Sequence, residues 1–97
     1  MTEINYERRN ALNSLVNYAN WLFSFRTDIY DRYANLEQTD EIYYIQAYNQ
    51  QNQLDTETLI FTAKECRKAE EIYRNRNLIV NVWIFTVEEI DNYVYSN

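Results

Sequence analysis

The chain has no glycine, no proline and no histidine, and it has one cysteine. Each absence excludes something. Without histidine there is no Ser-His or Cys-His nucleophile pair and no histidine-bearing zinc or di-iron site. Without glycine there is no phosphate-cradling loop and no dinucleotide fingerprint. The lone Cys66 allows no disulfide within the chain and suits a reducing compartment. It sits beside alanine on an apolar helical stripe, which makes it a small core residue and not a reactive thiol. Glycine and proline also punctuate turns. Their absence argues for long helices with short connections, and against all-β or doubly wound folds that turn on glycine.

Positive charge is scarce too. There are 9 Lys and Arg against 15 Asp and Glu, a formal net charge of −6. Phosphate contacts need a gathered basic patch, so direct nucleic-acid binding is not expected. An acidic surface suits solubility or docking on a basic partner. Residues 1–15 contain no apolar signal segment. The longest apolar run falls short of the roughly 20 residues a membrane span needs, so membrane contact is not expected. The location that follows is cytoplasmic, or within a virion if the source is a virus or phage.

What is present reads as helical. Ile4, Leu15, Leu22, Ile29 and Leu36 form a seam from Thr2 to Glu37, the last four at seven-residue spacing, with Asn10, Asn13, Asn17, Asn20 and Ser24 opposite. One helix of that extent would run roughly 50 Å at 1.5 Å per residue; a break near Ser24–Thr27 would shorten it. Glu41–Asn52 reads as a second helix with Tyr44, Ile45 and Tyr48 on one face, and the polar run Asn49–Gln53 as a loop. Asp55 looks like the N-cap of a third helix, Thr56–Arg76, whose inner stripe includes Cys66 and whose surface pairs Glu70 with Arg74.

The most apolar stretch, Leu78–Val87, is the one the rest would bury. Ile79, Val82, Trp83, Thr86, Val87 and Ile90 follow helical spacing, so a helix over Leu78–Val94 is expected. Its β-branched and aromatic residues make a strand over Leu78–Val87 the alternative. As a helix it would be apolar nearly all round, with Ile84 and Phe85 on the side away from the main stripe. Another helix or a second chain would then have to cover them.

Other candidates for an interface follow from residue type. Ten tyrosines combine an apolar ring with a polar tip. Tyr43 and Tyr44, about 100° apart on a helix, cannot both enter one narrow core. Arg26 sits within the apolar stripe of the first helix and calls for a carboxylate, Glu70 first, or for an interface or ligand to anchor. The acid pairs Asp28/Asp31, Asp40/Glu41 and Glu88/Glu89 are the usual furniture of an acidic helical surface. No catalytic, cofactor-binding or metal-binding residue is assigned, and no cofactor.

The segment Tyr73-Arg74-Asn75-Arg76-Asn77-Leu78, an apolar helix, then Ile90-Asp91-Asn92-Tyr93-Val94 resembles the C-terminal pattern of an uncharacterised helical domain of bacterial envelope proteins. The resemblance covers the last quarter of the chain. The family's glycines and the second half of its apolar helix are missing here, and it implies no active site.

These readings converge on an all-α fold: an antiparallel bundle of three or four helices forming a single domain over residues 1–97. The expected function is a non-enzymatic protein–protein interaction or assembly module. It would be a homo-oligomer or a subunit bound to a protein partner. The alternative is a small acidic inhibitor that blocks a basic or nucleic-acid-binding surface of a target.

Overall fold

The computed structural model describes residues 6–96. Four helices and three strands follow in the order α1 (Tyr6–Phe23), α2 (Thr27–Ala34), β1 (Glu41–Tyr48), β2 (Leu54–Ile60), α3 (Ala63–Asn75), β3 (Ile79–Thr86) and α4 (Val87–Ser96). The strands form an antiparallel sheet in the order β2-β1-β3. The fold is therefore α+β, which corrects the expected all-α helical bundle.

The chain divides into two compact units. One is helical and discontinuous, joining the residues up to Asp40 with those from Thr86 on. The other is the sheet unit, Glu41–Phe85.

In the helical unit, the long first helix breaks where the sequence suggested. The Ser24 hydroxyl donates to the Trp21 carbonyl at 2.6 Å, and the Arg26 N–H reaches the Leu22 carbonyl at 2.8 Å. These bonds close α1 and turn the chain into α2. Ala11, Leu12, Leu15 and Leu22 are the buried side of α1, and Val87 and Ile90 that of α4. The expected seam residue Ile4 lies outside the described residues. Polar contacts fasten α4. Arg8 clasps Glu89 with two bonds, of 3.0 and 2.6 Å, Tyr33 donates to Asp91 at 3.0 Å, and Tyr93 donates to Asn13 at 2.7 Å. Between them these contacts tie α4 to both α1 and α2.

In the sheet unit, β1 is the central strand. Ile42, Tyr44, Ile45 and Ala47 are all buried although successive residues point to opposite faces. A strand covered on both faces loses its two-residue alternation, and this is why Glu41–Asn52 passed for a helix. The polar run Asn49–Gln53 is the β1–β2 hairpin loop. The Asn49 carboxamide oxygen accepts the backbone N–H groups of Gln51 and Gln53 at 2.9 and 3.0 Å. Asn52 and Asn77 take φ of 61° and 62°. They occupy the left-handed positions that a glycine-free chain must fill with its most tolerant alternative, asparagine.

The third expected helix is two elements. Asp55 lies in β2, and the capping residue is Thr62, whose hydroxyl accepts the Glu65 N–H at 3.1 Å to start α3. Cys66 is buried on α3, and burial pushes its thiol pKa up, with Glu70 adding to the shift. Glu70 pairs with Arg74 at 3.4 Å, one helical turn on.

The Leu78–Val94 stretch is likewise two elements, the strand alternative followed by a helix. β3 ends at Thr86, whose hydroxyl accepts the Glu89 N–H at 3.1 Å and so opens α4. Glu88 and Glu89 then lie in the first turn, where acids suit the positive end of the helix dipole. The apolar helix of the envelope-protein pattern is thus a strand here. Along β3, Trp83 and Phe85 share a face and stack at 6.4 Å with planes 13° apart. The buried Trp83 Nε1–H meets no acceptor among the described residues.

Candidate interaction surface

The five residues singled out from sequence do not come together. Ile84 and Phe85 are strand neighbours on opposite faces: Phe85 is 1% exposed and Ile84 42%. Tyr43 and Tyr44 divide in the same way, Tyr44 fully buried and Tyr43 half-buried. Phe85 and Tyr44 are core residues of the sheet unit and cannot offer their rings to a partner while it is folded. Only Ile84 of the four is well exposed.

Arg26 is not in mid-helix. It is the residue before α2, and its exposed side chain bonds Asp28, not Glu70, through Nε at 3.0 Å and Nη2 at 2.9 Å. The Arg26 hydrogen bond holds the Asp28 carboxyl down to about 2. The sign is that of a depressed acid. Whatever the pair adds to stability is complete above the ordinary aspartate range and is lost as pH falls from about 4 toward 2. Because both groups are exposed, the effect on stability is small. The titration itself is the sharper observable. Arg26→Gln should bring the Asp28 carboxyl back toward the ordinary range, read by NMR titration of its side-chain carbon. An unmoved midpoint would show that Arg26 is not the cause.

A different surface stands out at the α1–α2 corner. Trp21 is 61% exposed and Phe25 55%. Their rings meet edge to face at 4.8 Å, and Tyr18 extends the row, 6.0 Å from Trp21. In a second ring group Phe23 packs against Tyr30 and Tyr33, each at 5.5 Å, and Tyr30 remains 49% exposed. Local structure explains the display. Buried Leu22 anchors the end of α1, and the bonds from Phe25 and Arg26 to its carbonyl turn the chain so that Phe25 comes beside Trp21. Helix α2 then runs along the surface with no fully buried side chain. Tryptophan and other large aromatics contribute most of the energy where proteins meet. Contiguous exposed rings therefore mark a docking surface more strongly than scattered aliphatic residues do.

Trp21 is not among the residues that residue type and helical angle single out. The signal was present. Trp21 follows Asn17 by four residues and precedes Ser24 by three, which sets a tryptophan in the middle of the asparagine face.

Charge is uneven between the units. Among described residues, the helical unit has Arg8, Arg9, Arg26 and Arg32 against Glu7, Asp28, Asp31, Glu37, Asp40, Glu88, Glu89 and Asp91. In the sheet unit Lys64, Arg67, Lys68, Arg74 and Arg76 nearly balance Glu41, Asp55, Glu57, Glu65, Glu70 and Glu71. The acidity of the chain thus belongs mainly to the unit that carries the exposed rings.

Among the described residues no group of three or more Cys, Asp or Glu is placed to hold a metal ion, and no helix is long and apolar enough to cross a membrane. One member of each acid pair has a structural partner: Asp28 takes Arg26, Asp40 accepts the Glu37 N–H at 2.8 Å, and Glu89 takes Arg8. Compared with protein-family models, with curated proteins and with solved structures, the chain matches none.

Proposed function

We propose that this chain is a non-enzymatic protein–protein interaction or assembly module, oligomeric or a subunit of a larger complex, with Trp21 and Phe25 at the contact. It would work in the cytoplasm or, for a virus or phage, in the virion. One observation carries the reading: two large rings in edge-to-face contact stay more than half exposed. Burying such a side chain is worth roughly 1.5–3 kcal/mol, so a surface that holds two of them together in water is one that a partner can cover.

The test is Trp21→Ala/Phe25→Ala. Because both rings are exposed, the double variant should keep the circular dichroism and melting of the parent. Its binding to a co-purifying partner, or its self-association in sedimentation, should weaken by at least tenfold, since an aromatic hot spot is worth about 2 kcal/mol or more. Unchanged binding by the folded variant would sink the proposal.

A second reading, the small acidic inhibitor of a basic or nucleic-acid-binding surface, draws support from the acid excess of the helical unit. In that reading the carboxylates make the contact. Affinity would fall steeply with salt, and removal of the two rings would leave it unchanged.

A further inference from the structure

We infer that the ring patch at the α1–α2 corner takes a cationic segment of a partner protein, one that interleaves arginine with apolar side chains. This rests on the interaction-module reading and names the partner class for the same surface.

Three observations support it. First, the patch offers ring faces and edges. Trp21 and Phe25 lie 4.8 Å apart at 73°, so one ring stands nearly upright against the other, and Tyr30 is also partly open. An aromatic face attracts a cation, tryptophan most strongly, and the flat guanidinium of arginine stacks where a lysine ammonium cannot. The apolar residues of the segment would cover the rest of the rings.

Second, the cation beside Phe25 in the chain is already paired. Arg26, next to Phe25, is held by both oxygens of Asp28. It therefore opposes an incoming arginine less than a free guanidinium would. One turn along α2, the exposed Asp31 carboxylate makes no hydrogen bond or ion pair with the described residues and can take a guanidinium in the bidentate manner.

Third, the charge of the helical unit selects among occupants. Its acids are twice as numerous as its arginines among the described residues. Bringing two copies together patch to patch would set that excess against itself. A cationic segment would be drawn in and steered by it. Complementarity thus favours a basic partner over a second copy of this chain.

The experiment uses the full chain and three short synthetic peptides of equal length. One alternates arginine and leucine, one replaces each arginine with lysine, and one replaces each with glutamate. Binding is followed by calorimetry against the parent, Trp21→Ala/Phe25→Ala, the single Trp21→Gln and Asp31→Asn. None of the ring variants alters the charge. The expected result is binding of the arginine peptide, weaker binding of the lysine peptide and none of the glutamate peptide. Affinity for the arginine peptide should fall at least tenfold in the double variant and severalfold in Trp21→Gln and Asp31→Asn. Trp21→Gln keeps Phe25 and decides the matter if the double variant fails to fold.

Three outcomes would overturn the inference. Equal arginine-peptide binding by parent and ring variants would mean that charge alone makes the contact, which leaves the inhibitor reading in place. A parent dimer in sedimentation that the ring variants abolish would give the patch to a second copy and leave the interaction-module reading standing. Failure of the parent to bind the arginine peptide, with no dimer, would remove both the partner class and the support the patch gives to that reading.

Discussion

Replacing Phe85 with alanine should destabilise the protein by about 3–5 kcal/mol, whereas Ile84→Ala next to it should cost less than about 1 kcal/mol. The contrast follows from the strand. Phe85 is 1% exposed and stacks on Trp83, while Ile84 points to the other face and is 42% exposed. Removing the Phe85 ring leaves a cavity between close-packed neighbours and takes the stacking partner from Trp83. Removing Ile84 beyond its β-carbon takes away surface that is already partly wet. Small domains are stable by only about 5–15 kcal/mol, so the first change can consume much of what holds the fold, and the second cannot. Urea denaturation of the two variants, read by circular dichroism, separates the cases. Equal losses, or a larger loss at Ile84, would mean that the two-residue alternation of β3 is misplaced.

The second large effect is expected at Tyr44. Its ring is fully buried on the central strand, and its hydroxyl donates to Glu57 at 2.5 Å and accepts from Gln46 at 3.4 Å. In the β1–β2 register Tyr44 faces Leu59 and Gln46 faces Glu57, so Tyr44 and Glu57 are diagonal neighbours on one face. Tyr44→Phe keeps the ring and removes the donor from the carboxylate. Hydrogen bonds to charged groups are worth about 1.5–3 kcal/mol, and that is the expected loss near neutral pH.

The same bond makes a pH prediction. Burial, and then the hydrogen bond to Glu57, push the Tyr44 hydroxyl well above the usual tyrosine range. A raised pKa means that the neutral form is the one favoured by the fold. Its contribution is complete below the unfolded value of about 10 and is lost as pH rises above it. Stability should therefore decline above about pH 10, and the decline should be shallower in Tyr44→Phe. Part of it remains, because burial and Asp91 raise Tyr33 in the same direction. Denaturant midpoints for parent and variant across this range provide the measurement, and parallel curves would show that Tyr44 is not responsible.

Several features of the fold were legible in the sequence. The break at Ser24–Thr27 sits where one uninterrupted helix would have been too long for the chain. The polar run Asn49–Gln53 reads as a loop and Cys66 among small apolar residues as interior, and both are so placed. The strand over Leu78–Val87 is legible only as the alternative to a helix, and β1 and β2 are not legible, for separate reasons. In β1 the apolar residues Ile42, Tyr44, Ile45 and Ala47 are buried on both faces, so the period of two that marks a half-buried strand is absent. In β3 the apolar pattern runs on into α4 without a break, and helical spacing within α4 lent a helical look to the strand before it. The missing glycine misled as well. Its absence argues against a sheet, yet Asn52 and Asn77 supply the left-handed turns that glycine would have taken.

The candidate surface was hidden for a different reason. Ile84, Phe85, Tyr43 and Tyr44 stand out by their angles on helices, and on the strands they occupy those angles become alternation. Arg26 reads as a charge in mid-helix, but α1 ends at Phe23. Trp21 needed no knowledge of the strands. It lay on a face that was already assigned to asparagine and serine, and a ring there is out of place in any helical reading of α1.

The hydrogen bond from the Val87 N–H to the Asp40 carbonyl, 2.9 Å long, and its neighbour from Glu88 to Gln38 close the chain on itself at one doorway. Everything between Asp40 and Val87 leaves and re-enters the helical unit there. In evolutionary terms the forty-odd residues of the sheet unit have the connectivity of an insertion. A lineage could lengthen, trim or exchange them without rerouting α1, α2 or α4, since host and guest are joined at adjacent residues. The corner that carries Trp21 and Phe25 belongs to the host, so a change confined to the insert leaves the residues of the proposed contact untouched in sequence.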